Sequence, residues 1–209
     1  MDRGGTGPEF MTPIRLAILL SGSGTTLQNL FDRIADGRLD AKIVQVVSSK
    51  ATAFGVERAR RANLPVAVVE RKQFDSVESF SSAIFGHCRD ADLVCLAGFL
   101  QLLKLPANFR GRVLNIHPAL LPAFGGKGMY GHHVHEAVIR AGIAESGCTV
   151  HLADDQYDHG EIVVQKRVPV LPGDTAEALA ARVFAAECEA YPEAIRRWAD
   201  QHPSELGLR

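Results

Sequence analysis

Asn115 and His117 stand two residues apart in the run Val-Leu-Asn-Ile-His-Pro over residues 113–118. The apolar lead-in reads as the end of a buried strand, and in an extended backbone residues i and i+2 point to the same face. One amide and one imidazole therefore emerge together where the strand ends. Pro118 and Pro122 stiffen the exit and forbid continuation as helix or ladder. A neutral donor beside a titratable base suits stabilisation of an oxyanion and movement of a proton. The same pair also fits a plainer role, with Asn115 capping a turn and His117 a hydrogen-bonded core histidine.

The elements that must hold this pair are legible as alternating strands and helices. Residues 14–20 (IRLAILL) form a nearly continuous apolar run, as expected of a strand buried on both faces of a parallel sheet. Further strands are expected at 42–47, 64–69 and 93–96, separated by amphipathic helices near 53–62 and 77–88. Repeated β-α units with right-handed crossovers imply an α/β fold with a doubly wound, mostly parallel, Rossmann-like sheet. Residues 147–152 and 162–170 read as a C-terminal antiparallel hairpin, and a long final helix is expected from 175 to about 198. Ligands in such sheets lie beyond the C-terminal strand edges, at the switch in strand order. That rule brings residues 21–26, 97–103 and 115–117 to one rim.

Each rim segment carries chemistry of its own. Ser-Gly-Ser-Gly-Thr-Thr over 21–26 follows the first strand and precedes a helix, so backbone N–H groups and a helix dipole can receive a phosphate there. Leu27 occupies the place of the third glycine of a dinucleotide fingerprint, and the lysine of a P-loop is absent. A small phosphomonoester fits better, with hydroxyls from Thr25 and Thr26; a simple capped turn is the alternative. The apolar residues 97–103 either cover the core or wall a slot for a flat aromatic ligand. Four glycines in residues 123–131 make a mobile loop beyond His117. His132, His133 and His135 follow without the His-Glu-x-x-His spacing or thiolates of a zinc site, so no metal is expected. Glu187 follows Val183 by four residues on the last helix and leans to its apolar side. A carboxylate placed there needs a partner, from the protein or from a ligand's hydroxyl or amine.

Composition narrows the function classes. The chain has 209 residues, 46% hydrophobic and 22% charged, with a formal net charge of −1. One domain of ordinary size is expected over residues 11–200. Residues 1–10 (MDRGGTGPEF) read as a cloning remnant and 201–209 as a polar tail. The charge balance gives no global attraction to nucleic acid or an anionic membrane, and no apolar run has the length of a membrane span. Cys88, Cys95, Cys148 and Cys188 lack Cys-x-x-Cys spacing, as expected of free thiols in a reducing cytoplasm.

Taken together, Ser-Gly-Ser-Gly-Thr-Thr-Leu-Gln at 21–28, Ala-Gly-Phe-Leu at 97–100, Asn-Ile-His-Pro-Ala-Leu-Leu-Pro at 115–122 and Gly-Cys-Thr-Val-His at 147–151 through to Asp158 resemble the phosphoribosylglycinamide formyltransferase family. The resemblance runs from residue 11 to about 198. It implies formyl transfer from the co-substrate 10-formyltetrahydrofolate to the amine of glycinamide ribotide, in purine synthesis and without a metal. By position, it implies that Asn115, His117 and Asp158 are catalytic, with Asp158 paired to His117 and holding it protonated. Gly24, Thr25 and Thr26 are then expected on the ribotide phosphate, with Phe184 and Glu187 on the same substrate and Glu187 bonding its hydroxyls. Leu100, Gln101, Leu102 and Leu103, with Asn115, Asp154, Asp155, Gln156, Tyr157 and Asp158, are expected around the folate.

Two departures stand out. Val77 takes the place where the family often has an arginine, and residues 123–131 make a longer loop than in some relatives and include Lys127. Formyltetrahydrofolate hydrolases resemble the chain across the catalytic segment but usually carry an added N-terminal regulatory domain. Methionyl-tRNA formyltransferases want a basic C-terminal domain. A bare phosphate-binding module would leave Asn115, His117 and Asp158 unexplained as a set. Assembly is left open, a homodimer included.

Overall fold

The protein is described by a computed structural model covering residues 12–203. The expected remnant at 1–10 and most of the expected tail lie outside the described residues. Seven strands form one sheet: β1 (Ile14–Leu20), β2 (Ala41–Ser48), β3 (Val66–Val68), β4 (Leu93–Leu96), β5 (Val113–His117), β6 (Glu145–Leu152) and β7 (Ile162–Pro169). Five α-helices accompany them: α1 (Thr25–Ala35), α2 (Phe54–Arg61), α3 (Val77–Gly86), α4 (His132–Ala141) and α5 (Ala176–Gln201). Strand order is β3-β2-β1-β4-β5-β6-β7, so the order reverses between β1 and β4. β1 to β5 run parallel, while β5–β6 and β6–β7 pair antiparallel. The doubly wound reading and the C-terminal hairpin both hold.

Alternation along β1 builds both layers. Ile14, Leu16, Ile18 and Leu20 pack with Leu27, Leu30, Val183 and Trp198 on one face, and Ala17 and Leu19 pack with Phe80 and Ile84 of α3 on the other. Burial on both faces is why the run carries no polar alternation. Helix α5 outlasts its expected end, because Gln201 closes it and His202 stacks on Trp198 at 4.7 Å between ring centroids. The Tyr191 hydroxyl, fully buried, lies 3.0 Å from the carbonyls of both Leu96 and Leu114. The hydroxyl thus ties α5 to the end of β4 and the start of β5, one residue before Ala97 and Asn115. Among the described residues no helix is long and apolar enough to cross a membrane.

Candidate active site

At the C-terminal edge of β5, Asn115 and His117 both face one cleft of about 600 Å³. Register supplies their neighbours: β5 pairs with β6 so that Asn115 stands opposite His151 and His117 opposite Thr149. His151 is buried, and its Nδ1 lies 3.0 Å from the Leu152 carbonyl, which can only accept. Burial lowers its pKa and favours the neutral ring. Nε2 is therefore an acceptor, and it takes an N–H from Asn115 Nδ2 at 3.0 Å. The second Nδ2 proton reaches Asp158 Oδ1 at 3.3 Å. His151 thus fixes which way the Asn115 amide points.

His117, only 3% exposed, has an acceptor on each ring nitrogen. Nδ1 lies 3.2 Å from Asp158 Oδ1, and Nε2 lies 2.7 Å from the Phe124 carbonyl. Both bonds are satisfied in full only when both nitrogens carry protons. Burial alone would raise the Asp158 pKa, but the hydrogen bond and charge of His117, with the Gly126 N–H at 2.9 Å, hold it below the usual carboxylate range. Of the three non-glycine residues with positive φ among those described, two are the partners of His117: Phe124 (φ 56°) and Asp158 (φ 49°). Such backbone costs on the order of 1–3 kcal/mol each and persists where surrounding structure imposes it. Gly125 allows the close approach, since a Cβ there would lie 2.5 Å from Leu121 Cδ2 and 3.3 Å from Asp158 Cβ.

The far end of the same cleft is the strand-to-helix turn after β1. Gly24 caps α1 in the left-handed conformation (φ 72°) with no side-chain cap bond, so side chains leave the first N–H groups of the helix unoccupied. A Cβ at Gly24 would lie 2.6 Å from Gly55 Cα, so the turn packs directly on the start of α2. Thr25 and Thr26 line the cleft. Ser21 Oγ bonds Ser49 Oγ at 2.6 Å and accepts from the Leu100 N–H at 3.0 Å, which fastens this turn to the β4 exit. Phe184 and Glu187 of α5 complete the wall. Burial pushes the Glu187 carboxyl up to about 7, against the opposing pull of His117.

The residues expected around folate divide among three adjoining clefts. Leu100 lines the large one, while Gln101, Leu102, Leu103, Asp154 and Gln156 line a narrow slot of about 60 Å³ that reaches Asn115 and His151. Asp155 lies only on a third, open cleft of about 510 Å³, where its carboxylate takes the Leu105 N–H at 2.8 Å and Arg110 at 3.1 Å. Tyr157 borders all three.

Sequence reasoning gave no role to His151, whose place depends on the β5–β6 register, nor to His135, Met129 and Tyr130 on the cleft wall. The three histidines considered for a metal are differently engaged. His132 meets Glu136 and Glu177, His133 meets Glu136, and His135 is buried with Nδ1 unpaired.

Comparison with known proteins places this arrangement. A family model described as formyl transferase matches residues 14–195. The chain belongs to the formyl transferase family. It is 39% identical over 186 residues to phosphoribosylglycinamide formyltransferase of Haemophilus influenzae, a match covering 87% of this chain and 85% of that protein. Glycinamide ribonucleotide transformylase 1 from Symbiobacterium toebii superposes with a TM-score of 0.84 at 40% identity, over 91% of this chain and 90% of that one. The trifunctional purine biosynthetic protein adenosine-3 of Drosophila pseudoobscura pseudoobscura is 44% identical over 187 residues, which is 87% of this chain but 13% of that protein. The chain therefore spans about an eighth of that longer relative, and its formyl transferase fold is the part they share.

Proposed function

We propose that the protein transfers the formyl group of 10-formyltetrahydrofolate to the amine of 5′-phosphoribosylglycinamide, giving formylglycinamide ribotide and tetrahydrofolate. The observation that carries this reading is that one cleft joins an uncapped helix N-terminus, a carboxylate of raised pKa and the Asn115–His117–Asp158 cluster. A phosphate at Thr25 and Thr26 and ribose hydroxyls at Glu187 orient the ribotide, with its amine directed to the cluster. The neighbouring slot takes the pterin, and the names of the relatives support the ribotide as the acceptor of a formyl group.

The amine nitrogen attacks the formyl carbon and forms the new C–N bond, and the carbonyl electrons move onto oxygen. Asn115 donates to that oxyanion, an interaction worth roughly 2.7–4 kcal/mol in acyl transfer. Both of its amide protons are in use here, so the formyl oxygen draws the one on the longer 3.3 Å bond to Asp158. His117, charged against Asp158, adds electrostatic stabilisation once its Nε2 leaves the Phe124 carbonyl. The incoming amine loses a proton, N10 gains one through His117, and the C–N10 bond breaks to release tetrahydrofolate. Asn115, His117 and Asp158 are the catalytic residues in this reading. The folate carries the one-carbon unit, so the protein's part is binding, orientation and proton movement.

A hydrolase needs the cluster and the folate slot but gives no task to Thr25, Thr26 or Glu187. The test is tetrahydrofolate release with both substrates and with each omitted in turn. Release that requires the ribotide supports transfer; release at the same rate without it contradicts it.

A further inference from the structure

Three histidines open helix α4 and meet different surroundings. His132 and His133 are exposed and pair with carboxylates, His132 with Glu136 and Glu177 and His133 with Glu136. His135 turns inward on the side of Val138, three residues further on, and both are buried. It is 5% exposed and lines the large cleft. Among the described residues, His135 Nδ1 and Ser146 Oγ are buried without a partner, and of the two residues only His135 borders the cleft.

An unpaired buried nitrogen weakens a fold, and an apolar side chain of similar shape would remove it. The cleft gives the ring a use. Burial, with the charges of His132 and His117, lowers the His135 pKa, so the imidazole is neutral and carries one N–H. On Nδ1 that proton would be enclosed with no acceptor. On Nε2 it sits on the ring edge left to face the cleft, which is the less costly arrangement. His117 acts electrostatically on both His135 and Glu187, so these three surround one stretch of the cleft. In a ribotide with its hydroxyls at Glu187 and its amine at His117, that stretch holds the glycinamide arm. The acceptor on this arm is the amide carbonyl.

We infer that His135 donates its Nε2–H to the amide carbonyl of the glycinamide arm and so positions the attacking amine against the formyl carbon. This rests on the reading of the cleft as the ribotide site. An arm held at the ribose alone turns about several single bonds. A hydrogen bond at the carbonyl, whose carbon is two bonds from the amine nitrogen, restricts that rotation. It also selects the acceptor, because an amine without the carbonyl leaves the buried N–H unanswered.

The test uses the whole protein with 10-formyltetrahydrofolate and two amines: a stable carbocyclic analogue of the ribotide, and the same compound with its amide carbonyl replaced by methylene. H135L should lower kcat/KM about 10- to 100-fold for the carbonyl compound and leave the methylene compound nearly unchanged. Comparing variants on each amine separately cancels the difference in amine basicity. H135N, whose amide reaches only the Nδ1 side, should behave as H135L does. H135Q, whose amide N–H reaches the place of Nε2, should recover most of the loss. Chemical denaturation should show H135L at least as stable as wild type, since the unpaired nitrogen is gone. A structural role alone predicts the opposite, a less stable H135L with equal losses on both amines. Equal losses on both, or an unchanged kcat/KM in H135L and H135N, would overturn the inference while leaving formyl transfer standing. A wild type that formylates neither amine would overturn the ribotide reading and this inference with it.

Discussion

Asp158 bonds both Asn115 and His117, so the three residues are expected to fail together. Asn115→Ala should lower kcat by roughly 10²–10³-fold through the lost oxyanion donor. His117→Ala should cost on the order of 10²–10⁴-fold through lost proton transfer. Because Asp158 acts largely through His117, the double variant at these two positions should cost little more than the worse single one. Steady-state kinetics of the four proteins decide this, and fully additive losses would separate the pair. Glu187 offers a second check, through pH. Its folded pKa is raised from the ordinary 4.5 to about 7. Between about pH 5 and 7 the folded state therefore binds more protons than the unfolded one, so stability falls as pH rises through that window, by up to about 3 kcal/mol, and levels off above it. Glu187→Gln should flatten that slope in chemical denaturation. In the same variant, ribotide KM should stop improving from pH 6 to 8, because only the ionised carboxylate accepts from two hydroxyls. A slope that survives the substitution would assign it to another group.

At the scale of elements, the loop of residues 123–131 has two parts. Its base is fastened by the Phe124 carbonyl on His117 and the Gly126 N–H on Asp158, while Lys127, Gly128 and Tyr130 are exposed. The base of the loop expected to be mobile is thus held, and it occupies the imidazole nitrogen that the proposed chemistry uses. The slot proposed for the pterin, at about 60 Å³, is also far below the roughly 300–1,000 Å³ of typical ligand pockets. Binding a folate analogue should therefore loosen the turn at 153–158, whereas both ligands together should slow hydrogen exchange at the loop tip. Exchange unchanged by either ligand would make both segments fixed walls. The strands and helices were legible because their hydrophobic periods are clean; β1 and β4 match their expected bounds to the residue. Asn115 and His117 were legible because alternation alone puts them on one face. The Asn115–His151 bond was not, since it depends on how β6 registers against β5, and the sequence carries no local mark of that pairing. Nor was the engagement of Asp155 by Arg110 and Leu105, a long-range contact between two loops.

For the whole molecule, the arrangement joins two chemistries at one sheet edge. The switch between β1 and β4 opens the rim, β1 and α5 bring the wall proposed for the ribotide, and β5 with the β6–β7 turn brings the Asn115–His117–Asp158 cluster proposed for formyl transfer. Tyr191 holds α5 against β4 and β5 beneath both, so the two halves are referenced to one buried hydroxyl. A transferase needs this joint geometry, because holding the amine near the formyl carbon supplies an effective concentration that water does not match. The central claim is that the cleft directs the formyl group to an amine and away from water. The most direct measurement follows an isotopically labelled formyl group on 10-formyltetrahydrofolate during turnover. With ribotide present, the label should appear almost wholly on the glycinamide nitrogen, and with ribotide absent, formate release should nearly stop; rapid release of labelled formate without ribotide, or label divided between formate and amine, would contradict the account.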